Sequence, residues 1–153
     1  MIYFVLPIKA HLKKYLLYKE KISITPEGDW IPATTTSIGL MMIHLFSSEN
    51  DSFHKKNYKT GTQYLKVYVP SDLLKSQAYY FNASAAGIFL QYLQESFDED
   101  MQMYIDGYKQ NRGKIKSAIM SFMALLDITI DDIDLDALKQ NNYRHRCQHH
   151  LLP

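Results

Sequence analysis

The sequence predicts an α+β fold, in which a small antiparallel sheet in the N-terminal half packs on a helical C-terminal half that closes with a helix-turn-helix-like hairpin. Two observations lead to this prediction. Segments with an apolar residue at every second position, bounded by proline and glycine, are confined to the part of the chain before Pro70. Apolar residues three and four positions apart dominate the part after Ser76.

The size and composition of the chain predict one domain. The 153 residues are 46% hydrophobic and 22% charged, which is typical of a globular domain with its own core. Within this domain we expect a strand-rich part over 1–75, a helical part over 76–147 and a short tail over 148–153.

The N-terminal segment as far as Trp30 is expected to alternate strand and helix. An apolar strand covers 2–8, and the helical spacing of leucine and tyrosine predicts a short amphipathic helix over 10–20. Alternating polar and apolar residues predict a second strand over 21–25. Turn residues at 26–29 then lead to a returning strand at Trp30.

A helix, a long polar loop and a clear strand follow. Threonine and serine residues that favour helix N-termini precede an apolar segment, so we expect a helix over 38–46. The segment 47–62 is almost entirely polar and predicts a loop. The segment 63–69 alternates with period two, which predicts a strand with one face apolar and the other formed by Tyr64, Lys66 and Tyr68.

The second half begins with a long proline-free segment. Its apolar residues keep helical phase from Phe81 to Tyr108, which predicts one helix over 82–110, or two helices with a break near Ser96. The sequence Asn111-Arg-Gly113 predicts a helix end at which the glycine adopts the left-handed conformation.

Two amphipathic helices over 114–126 and 133–146 form the predicted closing hairpin. Their apolar stripes are expected to pack together; the first consists of Ile115, Ile119, Phe122, Met123 and Leu126, and the second of Ile133, Leu135 and Leu138. Four aspartates between 131 and 136 surround the start of the second helix, where carboxylates accept hydrogen bonds from unpaired N–H groups.

Cysteine and hydropathy patterns predict a cytoplasmic protein. A single cysteine, Cys147, excludes an internal disulfide and favours a reducing compartment. The apolar segment 2–8 is too short for a signal peptide and has no basic residue before it. No apolar run approaches the roughly 20 residues of a membrane-spanning helix.

The motif content favours a protein that is not an enzyme and has no cofactor. The glycine-rich nucleotide-binding motifs and the Gly-x-Ser-x-Gly motif of hydrolases do not occur. Glu95, Asp98, Glu99 and Asp100 are consecutive or nearly so on a helix, which predicts an acidic surface patch. The C-terminal group His145, Cys147, His149 and His150 contains metal-ligating residue types at spacings unsuited to a structural zinc site, so no metal is expected.

The charge is unevenly distributed although the net charge is only +1. Residues 1–75 carry ten lysines against six acids, and residues 76–153 carry seven cations against ten acids. Because the aspartates at the start of the last helix would repel phosphate, a contact with DNA is expected at its C-terminal half and at the basic turn before the hairpin. The candidate residues are Lys109, Arg112, Lys114, Lys116, Lys139, Gln140, Asn141, Asn142, Tyr143, Arg144 and Arg146. A third basic element, 55–59, lies in the polar loop.

The order of these elements, ending in Asp136-Ala-Leu-Lys-Gln-Asn-Asn-Tyr-Arg-His-Arg146, resembles small DNA-binding proteins of bacterial phages, plasmids and other mobile elements. The resemblance is clearest over the segment 114–153. It implies a helix-turn-helix-like fold with DNA as partner, and hence a transcriptional regulator or an accessory replication factor.

Two other interpretations of the same residues stay open at the level of sequence. The basic residues of the last helix are also compatible with an ordinary solvated helix end. Alternatively, the protein is an interaction or assembly module that self-associates through the helix over 82–110 and the aromatic face of the strand over 63–69. A homodimer is compatible with either function.

Overall fold

The computed structural model describes residues 2–47 and 63–149, with side chains as far as Arg144. Within these ranges the chain forms two strands and six α-helices, which confirms the predicted α+β class with a small sheet. In chain order the elements are β1 (Tyr3–Ile8), α1 (Ala10–Lys19), α2 (Ser37–His44), β2 (Gln63–Tyr68), α3 (Ser71–Lys75), α4 (Ala83–Gln110), α5 (Ile115–Leu125) and α6 (Leu135–His149). The predicted loop lies, beyond Ser47, outside the described residues.

The chain divides into two compact units, Met1–Leu93 and Gln94–Pro153, which we call the N-terminal and C-terminal units. Helix α4 contributes residues to both. That the whole chain is one domain stays a prediction.

The sheet of the N-terminal unit is antiparallel, with Tyr3 opposite Tyr68 and Ile8 opposite Gln63. Alternate residues therefore point to opposite faces. One face is buried and consists of Leu6, Ile8, Leu65 and Val67. Trp30 extends the sheet beyond β2, because its N–H donates to the Lys66 carbonyl at 2.9 Å and its carbonyl accepts from the Tyr68 N–H at 2.9 Å.

The predicted strand over 21–25 is wrong. Lys21–Ser23 instead forms a short 3-10 helix, in which the Ser23 N–H donates to the Glu20 carbonyl at 2.8 Å and continues the winding of α1. The alternation was misleading because Ile22 is fully exposed and is not part of an apolar face. Only Ile24, just after this turn, pairs with Trp30 in the manner of a strand.

Aromatic rings organise the core of the N-terminal unit. Trp30 is completely buried and stacks on Phe89 of α4, with ring centroids 5.6 Å apart. Phe4 of β1 stacks on Phe81 at 4.4 Å, and Phe46 contacts both rings. Phe81 therefore belongs to this ring cluster and precedes α4, although the sequence predicted it in phase with the helix.

Helix α4 is continuous, so the alternative with a break near Ser96 is wrong. The Asn82 side chain caps its start, accepting from the Ala85 N–H at 2.8 Å. A fully buried stripe recurs every fourth residue and consists of Phe89, Leu93, Phe97, Met101 and Ile105. This stripe is the apolar side of an amphipathic helix.

The C-terminal unit has a second, smaller core. Phe122 of α5 contacts the rings of Phe97 and Tyr104 of α4, at centroid distances of 5.6 and 5.5 Å. Helix α6 contacts α5 and buries Leu138 completely. The two helices of the closing hairpin are thus confirmed, but Ile115 is exposed and does not belong to the buried stripe.

Candidate nucleic-acid interface

The turn between α4 and α5 is a tightly hydrogen-bonded helix end. The Arg112 N–H donates to the Lys109 carbonyl at 2.9 Å, and the Gly113 N–H donates to the Tyr108 carbonyl at 3.1 Å. This pair of bonds is a Schellman motif, which requires one residue in the left-handed region. That residue is Arg112, with φ of 61°, and not Gly113 as the sequence predicted.

Glycine is required at 113 for a different reason. A Cβ atom built there would collide with the ring of Tyr108 and would lie 2.9 Å from the Tyr108 carbonyl oxygen. The close approach of the backbone to Tyr108 therefore fixes glycine at this position. The left-handed position next to it is occupied by Arg112, which costs about 1–2 kcal/mol relative to glycine.

Four cations surround this turn, and we call Lys109, Arg112, Lys114 and Lys116 the junction cluster. Arg112, Lys114 and Lys116 are exposed, and Lys109 is half-buried. No acidic residue occurs from Gly107 to Leu126, so the positive potential at the turn is not neutralised by its own segment. Lys114 is the N-cap of α5 and its side chain accepts no hydrogen bond from the first N–H groups of the helix. The positive end of the helix dipole adds to the charge of the cluster.

The aspartates before α6 have structural roles. The Asp132 carboxylate accepts from the Thr129 N–H at 2.7 Å and from the Thr129 hydroxyl at 3.1 Å, which closes the turn after α5. The Asp134 carboxylate accepts from the Asp136 N–H at 3.0 Å and caps α6, as the sequence predicted. These carboxylates therefore position α6 and keep its N-terminal end negative.

The second half of α6 presents only some of the residues that the sequence indicated for DNA. Gln140, Tyr143 and Arg144 are exposed, and Asn141 is half-buried. Asn142 is buried, with 3% of its surface exposed, because it lies one turn after the buried Leu138 on the same side of the helix. Lys139 forms an ion pair with Asp136 at 3.1 Å. The side chain of Arg146 lies outside the described residues.

The outer face of the sheet is a further cluster of exposed aromatic and basic side chains. Tyr64 and Lys66 of β2 were expected there, but Tyr3 and Val5 of β1, which lie beside them, were not identified from the sequence. The segment 2–8 is apolar on both faces, so its alternation could not show which residues point outward.

Metal-ligating residues do not cluster within the part of the chain whose side chains are described: no three of His, Cys, Asp and Glu come close enough to hold an ion. The side chains of His145, Cys147, His149 and His150 fall outside that part. Of the helices in the described ranges, none combines the length and apolar character needed to cross a membrane.

Comparisons with known proteins leave the family open. No protein-family model, no curated protein and no solved structure matches the chain. The resemblance to DNA-binding proteins of mobile elements therefore stays a prediction.

Proposed function

We propose that this protein binds DNA without catalysing a reaction, as a regulator or accessory replication factor of a bacterial mobile element. The contact surface in this proposal is the junction cluster, assisted by Gln140, Tyr143 and Arg144 of α6. The observation that supports it most is the acid-free stretch from Gly107 to Leu126, whose cations surround the uncapped start of α5. Asn142 is omitted from the surface because it is buried.

Phosphate binding is the chemistry that this arrangement favours. Arg112 offers a planar fork of donors for phosphate oxygens, while Lys114 and Lys116 act as point charges. Each phosphate that a cation neutralises releases counterions, so the logarithm of the affinity falls by about 0.9 per unit of log salt for each contact. A local cluster of this kind suffices for binding even though the net charge of the chain is only +1.

Helix α6 is proposed to add contacts at its C-terminal half. Arg144 is charged and exposed, and Gln140, one turn earlier on the same side, offers an amide suited to base edges. Tyr143 is 72% exposed, so its ring and hydroxyl are available for contact with DNA. The aspartates at the other end of α6 orient this helix by repelling phosphate from its start.

Self-association is the second candidate function, and exposed apolar residues favour it. Met103 of α4 is 66% exposed, and Tyr64 of β2 is 63% exposed. Tyr64 shares its sheet face with the exposed Tyr3 and Val5 of β1, and contiguous exposed apolar side chains often belong to interfaces. Because apolar contacts do not weaken as salt rises, salt dependence separates this function from phosphate binding.

The test is fluorescence anisotropy of a labelled random duplex, titrated with the protein at low and moderate salt. The variant Arg112→Ala/Lys114→Ala/Lys116→Ala should lose most of the binding. A matched control, Lys9→Ala/Lys21→Ala/Lys75→Ala, removes three exposed lysines from the N-terminal unit and should keep it. Equal losses in both variants would contradict the assignment of the surface. No binding by the unaltered protein at low salt would overturn the proposal, and sedimentation velocity would then test self-association.

A further inference from the structure

The outer face of the sheet in the N-terminal unit forms three rows of cross-strand pairs. Tyr3 lies opposite Tyr68, Val5 opposite Lys66, and Pro7 opposite Tyr64. Side chains in such pairs lie on the same face, about 5 Å apart at their Cβ atoms. Tyr64 is 63% exposed and Tyr3 is 50% exposed, so two large rings face solvent on this surface. We call Tyr3, Val5, Tyr64, Lys66 and Tyr68 the outer sheet face.

One cation, Lys66, lies among these rings. The Lys66 ammonium lies 5.5 Å from the centre of the Tyr3 ring, and Tyr3 and Tyr68 meet edge to face at 5.7 Å. At the other end of β2, the Lys13 ammonium donates to the Tyr64 backbone carbonyl at 2.8 Å, which places a second cation at the edge of the sheet. The surface thus combines π faces with positive charge.

We propose that the outer sheet face is a binding site for single-stranded nucleic acid, with bases stacked on Tyr64 and Tyr3 and a phosphate on Lys66. Stacking of bases on exposed tyrosines does not depend on sequence, because every base has a π face. The site uses residues of the N-terminal unit alone, and it is independent of the duplex contact proposed for the C-terminal unit.

The spacing of the rings favours a single strand over a duplex. Tyr64 and Tyr68 are four residues apart on one strand, so their Cα atoms are separated by about 13 Å. Stacked bases in one strand of a duplex rise by only about 3.4 Å, so neighbouring bases can reach both ends of this face only when they are splayed apart. A single strand can splay its bases, whereas a duplex holds them in the stack.

The charge of the face favours a nucleic acid over a second copy of this chain. Lys66 occupies the middle row, and its side chain is 51% exposed. In a symmetric dimer whose two-fold axis passes through this middle row, the two copies of Lys66 would approach each other and repel. An anionic strand, in contrast, places phosphate at this position.

Asp29 modulates the face. Its carboxylate lies 4.0 Å from the Lys66 ammonium and accepts from the Tyr68 hydroxyl at 3.4 Å. It therefore neutralises part of the charge that would attract phosphate. Asp29→Asn removes this competitor and leaves the backbone bonds of Asp29 with Thr25 in place, so it should strengthen binding.

The experiment is anisotropy with a labelled oligothymidine, with oligouridine of equal length and with a duplex, each titrated with the full chain. Tyr64→Ala should weaken binding of the single strands roughly 5- to 150-fold, and Tyr64→Phe, which keeps the ring, should bind as the unaltered protein does. Lys66→Gln should reduce the magnitude of the salt slope by about 0.7. Comparison of the two oligonucleotides identifies whether DNA or RNA is the better ligand.

Three results would overturn the proposal. They are an absence of single-strand binding at low salt, binding that Tyr64→Ala leaves unchanged, and a dimer in sedimentation velocity that Tyr64→Ala dissociates. The variant Arg112→Ala/Lys114→Ala/Lys116→Ala serves as the control for the separate duplex surface. It should keep the stacking contribution of Tyr64, so failure of either site can be told from failure of the other.

Discussion

Replacement of Arg112 by glycine should stabilise the protein and weaken its binding to DNA at the same time. Arg112 has φ of 61°, and the left-handed conformation costs a residue with a Cβ atom about 1–2 kcal/mol. Glycine removes this cost but increases the entropy of the unfolded chain, which offsets about 0.4–1 kcal/mol of the gain. The net gain is about 0.5–1 kcal/mol, which raises the Tm of a chain of this size by about 2 °C.

The loss of binding follows from counterion release. One lost phosphate contact, with a slope of about −0.9, weakens binding roughly eightfold at about 0.1 M salt. Thermal unfolding by circular dichroism measures the first effect, and anisotropy with a labelled duplex measures the second.

Gln77→Gly is the matched control for this prediction. Gln77 ends α3 in the same hydrogen-bonded geometry, with φ of 58°, and it is exposed. It should gain the same stability and keep the same DNA affinity. A lower Tm for Arg112→Gly would refute the strain argument, and an unchanged affinity would refute the contact.

Three further changes test the local structure around the proposed interface and the tyrosine pair. Gly113→Ala should destabilise the protein by about 1–3 kcal/mol, because its Cβ collides with the Tyr108 ring. Urea unfolding measures this loss of stability. The double variant Gly113→Ala/Tyr108→Ala should be more stable than the sum of the two single losses predicts. Additive losses in the two single variants would contradict the collision. Asp134→Ala should lower the free energy of unfolding in urea by about 1 kcal/mol, because α6 loses its N-terminal cap. Asp134→Asn, which keeps a side-chain oxygen, should lower it much less. Equal losses in the two variants would count against capping. The pKa of Tyr80 is raised above 10.0, chiefly by its hydrogen bond with Tyr79. The stability that this hydrogen bond contributes is present below pH 10 and is lost as pH rises through the raised pKa. In a titration of the individual tyrosine rings by NMR, Tyr80 should ionise at lower pH in Tyr79→Phe than in the unaltered protein, and an unchanged Tyr80 titration would refute the cause.

Periodicity predicted the fold class because long elements repeat their pattern many times. The stripe from Phe89 to Ile105 recurs over five positions, and it predicted α4 to within a few residues. Short elements carry too few repeats. The alternation over 21–25 had only two apolar residues, and a 3-10 turn continuing α1 displaced the expected strand. Helix α3 has five residues and too short an apolar pattern to be recognised.

The candidate interface was predictable only in part, because residue type does not reveal which side of a helix is buried. The junction cluster was found from its local excess of charge, and three of its four members are exposed. Asn142 was predicted to contact DNA because its side chain can form hydrogen bonds, but it is buried on the same side of α6 as Leu138. The sequence predicted the left-handed conformation at Gly113 because glycine usually adopts it at a helix end. The structure has this conformation at Arg112 instead, and glycine is required at 113 because its backbone lies against Tyr108.

The salt dependence of duplex binding tests the central claim most directly. The logarithm of the association constant is plotted against the logarithm of salt concentration for the unaltered protein and for Arg112→Ala/Lys114→Ala/Lys116→Ala. If the junction cluster contacts phosphates, the variant should lose about 2.7 from the magnitude of the slope, or about 0.9 for each cation removed. Identical slopes for the two proteins would contradict a role of the junction cluster in binding DNA.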